Sequence, residues 1–443
     1  MFKGKTKIEL FDGITGKKTD EYKDQNMVTN AIKNMLGSIG SHSLISGVDC
    51  AQWMNYQTPL YPTYLRGILL WDSEIQEEPD NIFAPPGVKC VGHAGSAYSG
   101  TRVTRGTLNA NETAVLPNGV KIVWDFATDK ANGTIKSISL TSQMGGNCGW
   151  FMGSYDSVEY FFWSLAALNV GSTKQVRVLP APKTSGYTYS GYIGELKKGS
   201  FYFINPTSSK GKLDVMEMTF ANPAAITILN KAGDLASTAK ETVFSIPTDS
   251  DFTASNANFI INGNNYVFTY KNGTAIKVWS FDLVNKTSSL VKTLTLSETV
   301  SGTNLAYFNG HIYVNSSTRG GICKFDGSGQ FVAKVSAGQH TGRFHLFNGC
   351  LIVANDSTSG GTTPIAYTDG TDCMESTVGN NTPHVFLPSK TYKPPLFVSY
   401  DANTNPRFLG YVTPYMATIN NLAAQVVKTS EHTMKVTYEL IQE

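Results

Sequence analysis

The stretch LAYFNGHIYVN (residues 305–315), followed by GICKFD (321–326) and QFVAKV (330–335), decides the fold. It reads as an apolar strand, an Asn-Gly turn, a second apolar strand, a loop, a third strand ending in Asp, and a fourth strand. Asn-Gly suits a two-residue hairpin because both positions tolerate φ > 0. The same order of signals recurs upstream as NFIINGNNYVFTY (258–270), AIKVWSFD (275–282) and SLVKTLTL (289–296). Downstream it recurs as FHLFNGCLIVAN (344–355), PIAYTD (364–369) and the weaker CMEST (373–377). The Asn-Gly pairs begin at 262, 309 and 348, spacings of 47 and 39 residues. A four-stranded unit at this period is the sequence sign of a β-propeller blade. KKGSFYFIN (197–205) with KLDVMEMTF (212–220) reads as a degenerate further copy. At about 45 residues per blade, residues 172–390 hold four or five blades, and five is the preferred count. The competing architecture is a β-sandwich made of hairpins.

Outside the repeat, GKTKIELF (4–11) and MKVTYELI (434–441) alternate apolar and polar residues, the pattern of half-buried strands. Asp12-Gly13 and Thr15-Gly16 mark a turn, with a second strand expected over 18–24. In NMVTNAIKNML (26–36), apolar positions 27, 28, 31, 32, 35 and 36 share one helical face, with Asn26 as cap and Gly37 as stop. Strand-like runs follow at Arg66–Trp71, Val88–Gly92, Thr101–Leu108, Gly119–Phe126 and 134–142. The expectation is an all-β chain. Residues 1–165 and 395–443 form one anchoring and oligomerising domain with a short helix, and the propeller (172–390) is inserted into it. Insertions are tolerated where the ends of a segment lie close together, and a closed ring brings its ends together. The Gly-rich, aromatic stretch 145–163 suits either a sugar-stacking platform or a hinge whose rings pack between domains.

Charged residues are 16 % of the chain, against roughly 25 % in typical soluble domains, and the net charge is +2. No basic patch capable of displacing counterions from nucleic acid is present. The basic stretch in the first 18 residues is answered by Asp20, Glu21 and Asp24, as on a solvated hairpin. The six cysteines form no CxxC pair, so no zinc site is expected. Buried free thiols are, though an even count leaves disulfides open. The N-terminus lacks the apolar core of a signal peptide, and no stretch reaches the roughly 20 apolar residues of a membrane span. Synthesis in a cytoplasm without membrane insertion is the expectation.

Three segments carry a family resemblance: GKTKIELFDGITGKKTDEYKDQNMVTNAI (4–32), GILLWDSEIQEEPDNIFAPPGVKCVG (67–92) and VWDFATDKANGTIKSISLTS (123–142). The end, MATINNLAAQVVKTSEHTMKVTYEL (416–440), carries it too. Together they resemble tail fibre and receptor-binding proteins of phages and prophages of Gram-positive bacteria. The resemblance implies a virion protein at the tail tip or baseplate, assembled in the host cytoplasm. It further implies a homotrimer that binds other tail proteins and a bacterial surface receptor, either a glycan or a surface protein. The central repeat lies outside it.

No nucleophile elbow, P-loop or HExxH motif occurs, and no cofactor is expected. His340 and His345, five apart, would lie on opposite faces of a strand. Glycoside cleavage needs two carboxylates flanking the bond. Asp282, Asp326 and Asp369 end third strands just before turns, which suits Asx-type bonding instead. The inner strands NFIIN, LAYFN and FHLFN carry no carboxylate. The chain is therefore expected not to be an enzyme. Asp356 and the first blade's acids are those left to a hydrolase, with Asp356, Asp214 and Glu217 the ones to test first.

The hairpin turns should lie on one face of the propeller. The loops 271–274, 297–304, 315–321, 336–343 and 355–363 should lie on the other. Asn315, Arg319, His340, Arg343, Asn355 and Asp356 in or beside these loops are candidate receptor contacts, since Asn and Arg fork toward hydroxyl and anionic groups. Tyr187, Tyr189 and Tyr192 in SGYTYSGYIG (185–194) are a second candidate set. The alternatives are ordinary solvated loops and a first-blade strand with partly buried tyrosines.

Overall fold

Strict alternation at both chain ends builds one sheet. β1 (Phe2–Asp12) and β2 (Lys18–Val28) form a hairpin closed by Asp12, whose Oδ1 accepts from the Ile14 and Thr15 amides. β3 (Gly67–Trp71), β4 (Cys90–Ala94), β5 (Thr107–Leu108), β6 (Ala114–Leu116), β7 (Gly119–Phe126) and β8 (Gly133–Thr141) follow. β9 (Thr418–Lys428) and β10 (His432–Gln442) return from the far end of the sequence. The computed structural model describes residues 2–34, 65–142, 164–167, 169–170, 174–175, 179–188, 191–220, 239–254, 257–262, 265–272, 275–298, 304–338, 340, 344–354, 362–379, 385–387, 390, 393–400 and 407–442.

The ten strands run in the order β4-β3-β8-β9-β2-β1-β10-β7-β5, with β6 beside β7. β1 pairs with β10 along its whole length, from Phe2↔Gln442 to Asp12↔His432. The sheet closes on itself at His93, whose N–H donates to Thr104 O at 2.8 Å and whose carbonyl accepts from Gly106 N at 2.8 Å. The sheet is thus a nearly closed barrel. Ile8, Leu10, Ile122, Trp124, Phe126, Val436 and Tyr438 fill its interior. β3 is buried on both sides. Ile68 and Leu70 belong to the interior core, while Leu69 and Trp71 pack with Ile75, Ala84, Val88 and Cys90 of the covering segment.

The expected helix over 26–36 is corrected. β2 continues through Val28, because Gly4↔Asn26, Met27↔Ile419 and Val28↔Thr418 pairing holds those residues extended. Helix begins only at residue 30 and is described to 34. Thr29, not Asn26, sits at its start, with Oγ1 accepting from Ala31 N and donating to Met416 O at 2.7 Å.

The insertion is a propeller of five four-stranded sheets. Blade 1 comprises Tyr192–Lys197, Ser200–Ile204, Lys212–Phe220 and Ala239–Pro247. Blade 2 comprises Ala257–Asn262, Asn265–Asn272, Ala275–Asp282 and Thr287–Thr295. Blade 3 comprises Leu305–Phe308, His311–Ser316, Gly321–Phe325 and Phe331–Lys334. Blade 4 comprises Phe344–Phe347, Cys350–Ala354, Thr362–Thr368 and Cys373–Gly379. In each, strands a to d run outward in sequence order, and the a strands lie against one another around a common axis. The Asn-Gly turns adopt the conformation their residues favour: φ is 47° at Asn309 and Asn348, 78° at Gly310 and 72° at Gly349. Apolar clusters fill the gaps between blades, such as Phe252 against Trp279 and Phe281 between blades 1 and 2.

Blade 5 corrects the expected boundaries of 172–390. Its strands are Val385–Leu387, Leu396–Tyr400, Arg407–Thr413 and, as strand d, Ser164–Ala167 from before blade 1. A strand from before blade 1 thus completes the last blade by a ladder. The propeller therefore reaches from 164 to 413. Glu195, on strand a of blade 1, makes a second closure. Its fully buried carboxylate accepts from Gly199 N at 2.7 Å and from Lys390 N at 3.1 Å. The inner strands NFIIN, LAYFN and FHLFN of blades 2 to 4 carry no carboxylate, whereas that of blade 1 carries this one.

Candidate functional site

The a–b and c–d turns of each blade share one face, and this face meets the barrel. Phe83 packs on Phe347, just before the blade 4 a–b turn, with ring centroids 4.7 Å apart. A Cβ on Gly87 would lie 2.8 Å from the carboxylate of Asp372, in the blade 4 c–d turn. Asn34 Nδ2 donates to Pro394 O, between strands a and b of blade 5, at 2.6 Å. The opposite face carries the b–c loops and the inter-blade connections, and points away from the barrel.

Three inter-blade connections on that face are each fastened to the blade that follows. After blade 1, Asp249 and Asp251 accept from Lys277 Nζ of blade 2 at 2.7 and 3.2 Å. After blade 2, Glu298 takes a two-pronged bond from Arg319 of the blade 3 b–c loop, Nε–Oε1 2.8 Å and Nη2–Oε2 2.5 Å. The same guanidinium stacks 4.0 Å from the Phe331 ring centre. After blade 3, Glu375 of blade 4 accepts from Ala337 N at 2.7 Å, Gly338 N at 2.8 Å and His340 Nε2 at 2.8 Å. Burial pushes the Glu375 carboxyl up, but these bonds outweigh it and hold the group below its ordinary value.

These contacts settle where several candidate residues stand. Arg319 spends its fork on Glu298 and its ring-stacking face on Phe331. His340 is buried, in the connection rather than on the strand that carries His345. Asn315 is buried, and its backbone N–H donates to Asn304 O at 3.1 Å. Tyr187 and Tyr192 are buried as well. Tyr192 opens blade 1 and packs on Phe203 at 5.1 Å, while burial, with Asp214 nearby, pushes Tyr187 up to about 12. Tyr189, Arg343, Asn355, Asp356 and the aromatic stretch 145–163 lie outside the described residues. Sequence reasoning missed Glu298 and Glu375, because a carboxylate whose partner sits in another blade leaves no local pattern.

The acids a hydrolase would use do not converge among the described residues. Asp214 and Glu217 lie three apart on one strand of blade 1, on opposite faces. Asp214 accepts from Ser245 Oγ, and Glu217 from Tyr202 Oη. Asp282, Asp326 and Asp369 bond the amides of their own turns, as in Ser328 N to Asp326 Oδ1 at 2.8 Å. Among the described residues no three His, Cys, Asp or Glu side chains gather as a metal site. Cys90, Cys323, Cys350 and Cys373 are free thiols. The barrel carries a concavity of about 760 Å³ on its outer wall, lined by Lys5, Lys7, Lys23, Lys121, Glu9 and Glu439 among others.

No family model and no curated protein matches the chain. Solved structures similar to it include TolB from Acinetobacter baumannii, at 10 % identity over 71 % of this chain and 80 % of that one, TM-score 0.28. Dihydro-heme d1 dehydrogenase NirN shares 11 % identity over 83 % of this chain and 76 % of its own, TM-score 0.25. Kuenenia stuttgartiensis hydrazine synthase shares 13 % over 49 % of this chain, TM-score 0.26, and the match spans 56 % of its length. At these scores none bears on what this chain does.

Proposed function

We propose that the chain is a receptor-binding protein of a bacteriophage tail, without enzymatic activity. The barrel joins it to other tail proteins and to two further copies in a homotrimer. The outward loop face of the propeller holds a glycan or protein on the bacterial surface. The observation that carries this reading is the way the propeller is mounted. It meets the barrel by its turn face, and the loop face is turned outward with its connections fastened. A rigid scaffold presenting loops is a common setting for binding, and loops ordered in advance lose less entropy on association. The segments that resemble phage tail proteins, residues 4–32, 67–92, 123–142 and 416–440, supply most of the barrel strands, which supports an anchoring role for that part. Several copies would add weak contacts into useful adhesion. Such a protein is built in the host cytoplasm and resides in the virion.

The test is a pull-down of the purified chain on intact Gram-positive cells, with the supernatant assayed for reducing sugar. Saturable binding without sugar release is the expected result. Released sugar would replace this reading with a polysaccharide depolymerase. Neither binding nor release across a host panel would leave a structural baseplate component.

A further inference from the structure

β8 and β9 join two parts of the barrel that the inserted propeller separates in the chain. Where their ladder ends, Lys428 pairs with Gly133. Lys428 is the last residue of β9, and it is only 1 % exposed. Its Nζ donates to Asn132 Oδ1 at 2.8 Å and to Thr128 O at 3.2 Å, with Thr429 O at 3.5 Å. All three acceptors are carbonyl oxygens. A buried lysine is ordinarily paired with an opposite charge. Asp129 acts on this one electrostatically, but its carboxylate is largely exposed and bonds Lys130 at 2.9 Å. Desolvation prevails and lowers the Lys428 amine to about 8, so about a tenth of it is neutral at pH 7.

The Asn132 amide is held on both sides. Its Oδ1 accepts from Lys428, which draws electron density from Cγ, and its Nδ2 donates to Thr128 O at 3.0 Å. Cγ lies one carbonyl bond, about 1.2 Å, from the oxygen that Nζ already touches. A desolvated lysine is an activated nucleophile, and holding it against an acyl carbon makes the encounter intramolecular. We propose that Lys428 and Asn132 form an isopeptide bond, a covalent cross-link between residues 296 apart on either side of the propeller. Nζ forms a bond to Cγ, the Cγ–Nδ2 bond breaks, and Nδ2 leaves as ammonia. The proton shed by the attacking nitrogen passes to that ammonia through solvent or the Asp129 carboxylate. One ammonium and one amide thus give one isopeptide and one ammonium ion, with no oxidant or cofactor needed. Asn132 is exposed, so the ammonia has a way out. The link would lock β8 to β9 and hold the barrel shut around the two ends of the insertion.

The intact mass of the purified full chain tests this, together with peptide mapping after digestion. The expected mass is that of the sequence less one ammonia, with the peptides holding Asn132 and Lys428 recovered joined. Lys428→Arg should restore the full mass. Asn132→Ser, at an exposed position, should do the same and keeps the test available if the Lys428 variant does not fold. Full sequence mass in the parent, with the two peptides separate, overturns the proposal. So does loss of ammonia with the peptides still separate, which marks a succinimide between Asn132 and Gly133 instead of a cross-link.

Discussion

Ser164 and Thr413 pair across the ladder that closes the propeller, so the first and last strand residues of the insertion lie side by side. Residue 413 then passes within a few positions to Tyr415, Met416 and Ala417, all buried against the barrel. Ring closure depends on this two-stranded neck of the propeller, Ser164–Ala167 against Gly410–Thr413.

Proline in that neck should open the ring. Tyr411 pairs with both Leu396 and Ala166, so its strand is central there and has no free edge. Tyr411→Pro removes a ladder donor and clashes with its neighbours. We expect a lower melting temperature and early proteolytic cleavage within 164–413, with the barrel strands still protected. Equal protease resistance in variant and parent would argue against closure by this ladder.

Glu195 should be a stability residue. Truncation to Ala strands the buried Gly199 amide, at about 1–3 kcal/mol for an orphaned buried donor, while the amide of the exposed Lys390 can turn to water. Glu195→Gln keeps one acceptor and should cost less. Urea unfolding measures both, and a neutral Glu195→Ala would contradict the ring-closing role.

The Arg319–Glu298 bond distinguishes a loop staple from a receptor contact. Both side chains are partly exposed, so the pair should add little to global stability. Arg319→Glu should weaken cell adhesion, and combining it with Glu298→Arg should restore adhesion if Arg319 acts by holding the connection. If Arg319 touches the receptor directly, the swapped pair stays defective.

His93 should make the fold sensitive to acid. Burial, aided by the charges of Arg105 and Arg102, lowers its pKa from 6.5 to about 3. Below pH 6.5 the unfolded chain binds a proton that the folded chain refuses until about pH 3, so stability falls across that window. The slope from this one group approaches about 1.4 kcal/mol per pH unit. His93→Gln should lose that slope in urea midpoints measured from pH 7 downward, and an unchanged slope would exclude His93 as the group responsible.

Glu375 acts in the same direction through a different state. Its folded pKa lies below the ordinary 4.5, so its contribution is present above that value and disappears as pH falls through the lowered one. Glu375→Gln should destabilise the chain at neutral pH and make little difference in strong acid. A penalty independent of pH would mean that lost packing, not charge, is responsible.

Much of the fold was legible in the chain. Alternation in GKTKIELF and MKVTYELI marked two barrel strands, since period-2 burial is written locally. Asn309-Gly310 and Asn348-Gly349 announced their hairpins because φ > 0 at both positions is a property of those residues alone. Asp282, Asp326 and Asp369 announced their turns for the same local reason.

What only the tertiary structure decided involves partners far apart in the chain. Residues 26–28 have helical periodicity, yet pairing with Gly4, Ile419 and Thr418 keeps them extended. Ser164–Ala167 carries no sign that it belongs with a strand some 250 residues later. Arg319 and His340 looked available for a ligand until Glu298 and Glu375, on other elements, came within hydrogen-bond reach. Local patterns report the conformation a segment prefers, because the forces involved act over a few residues. Ring closure, charge pairing and burial depend on which distant segments meet, and that is settled only when the chain packs.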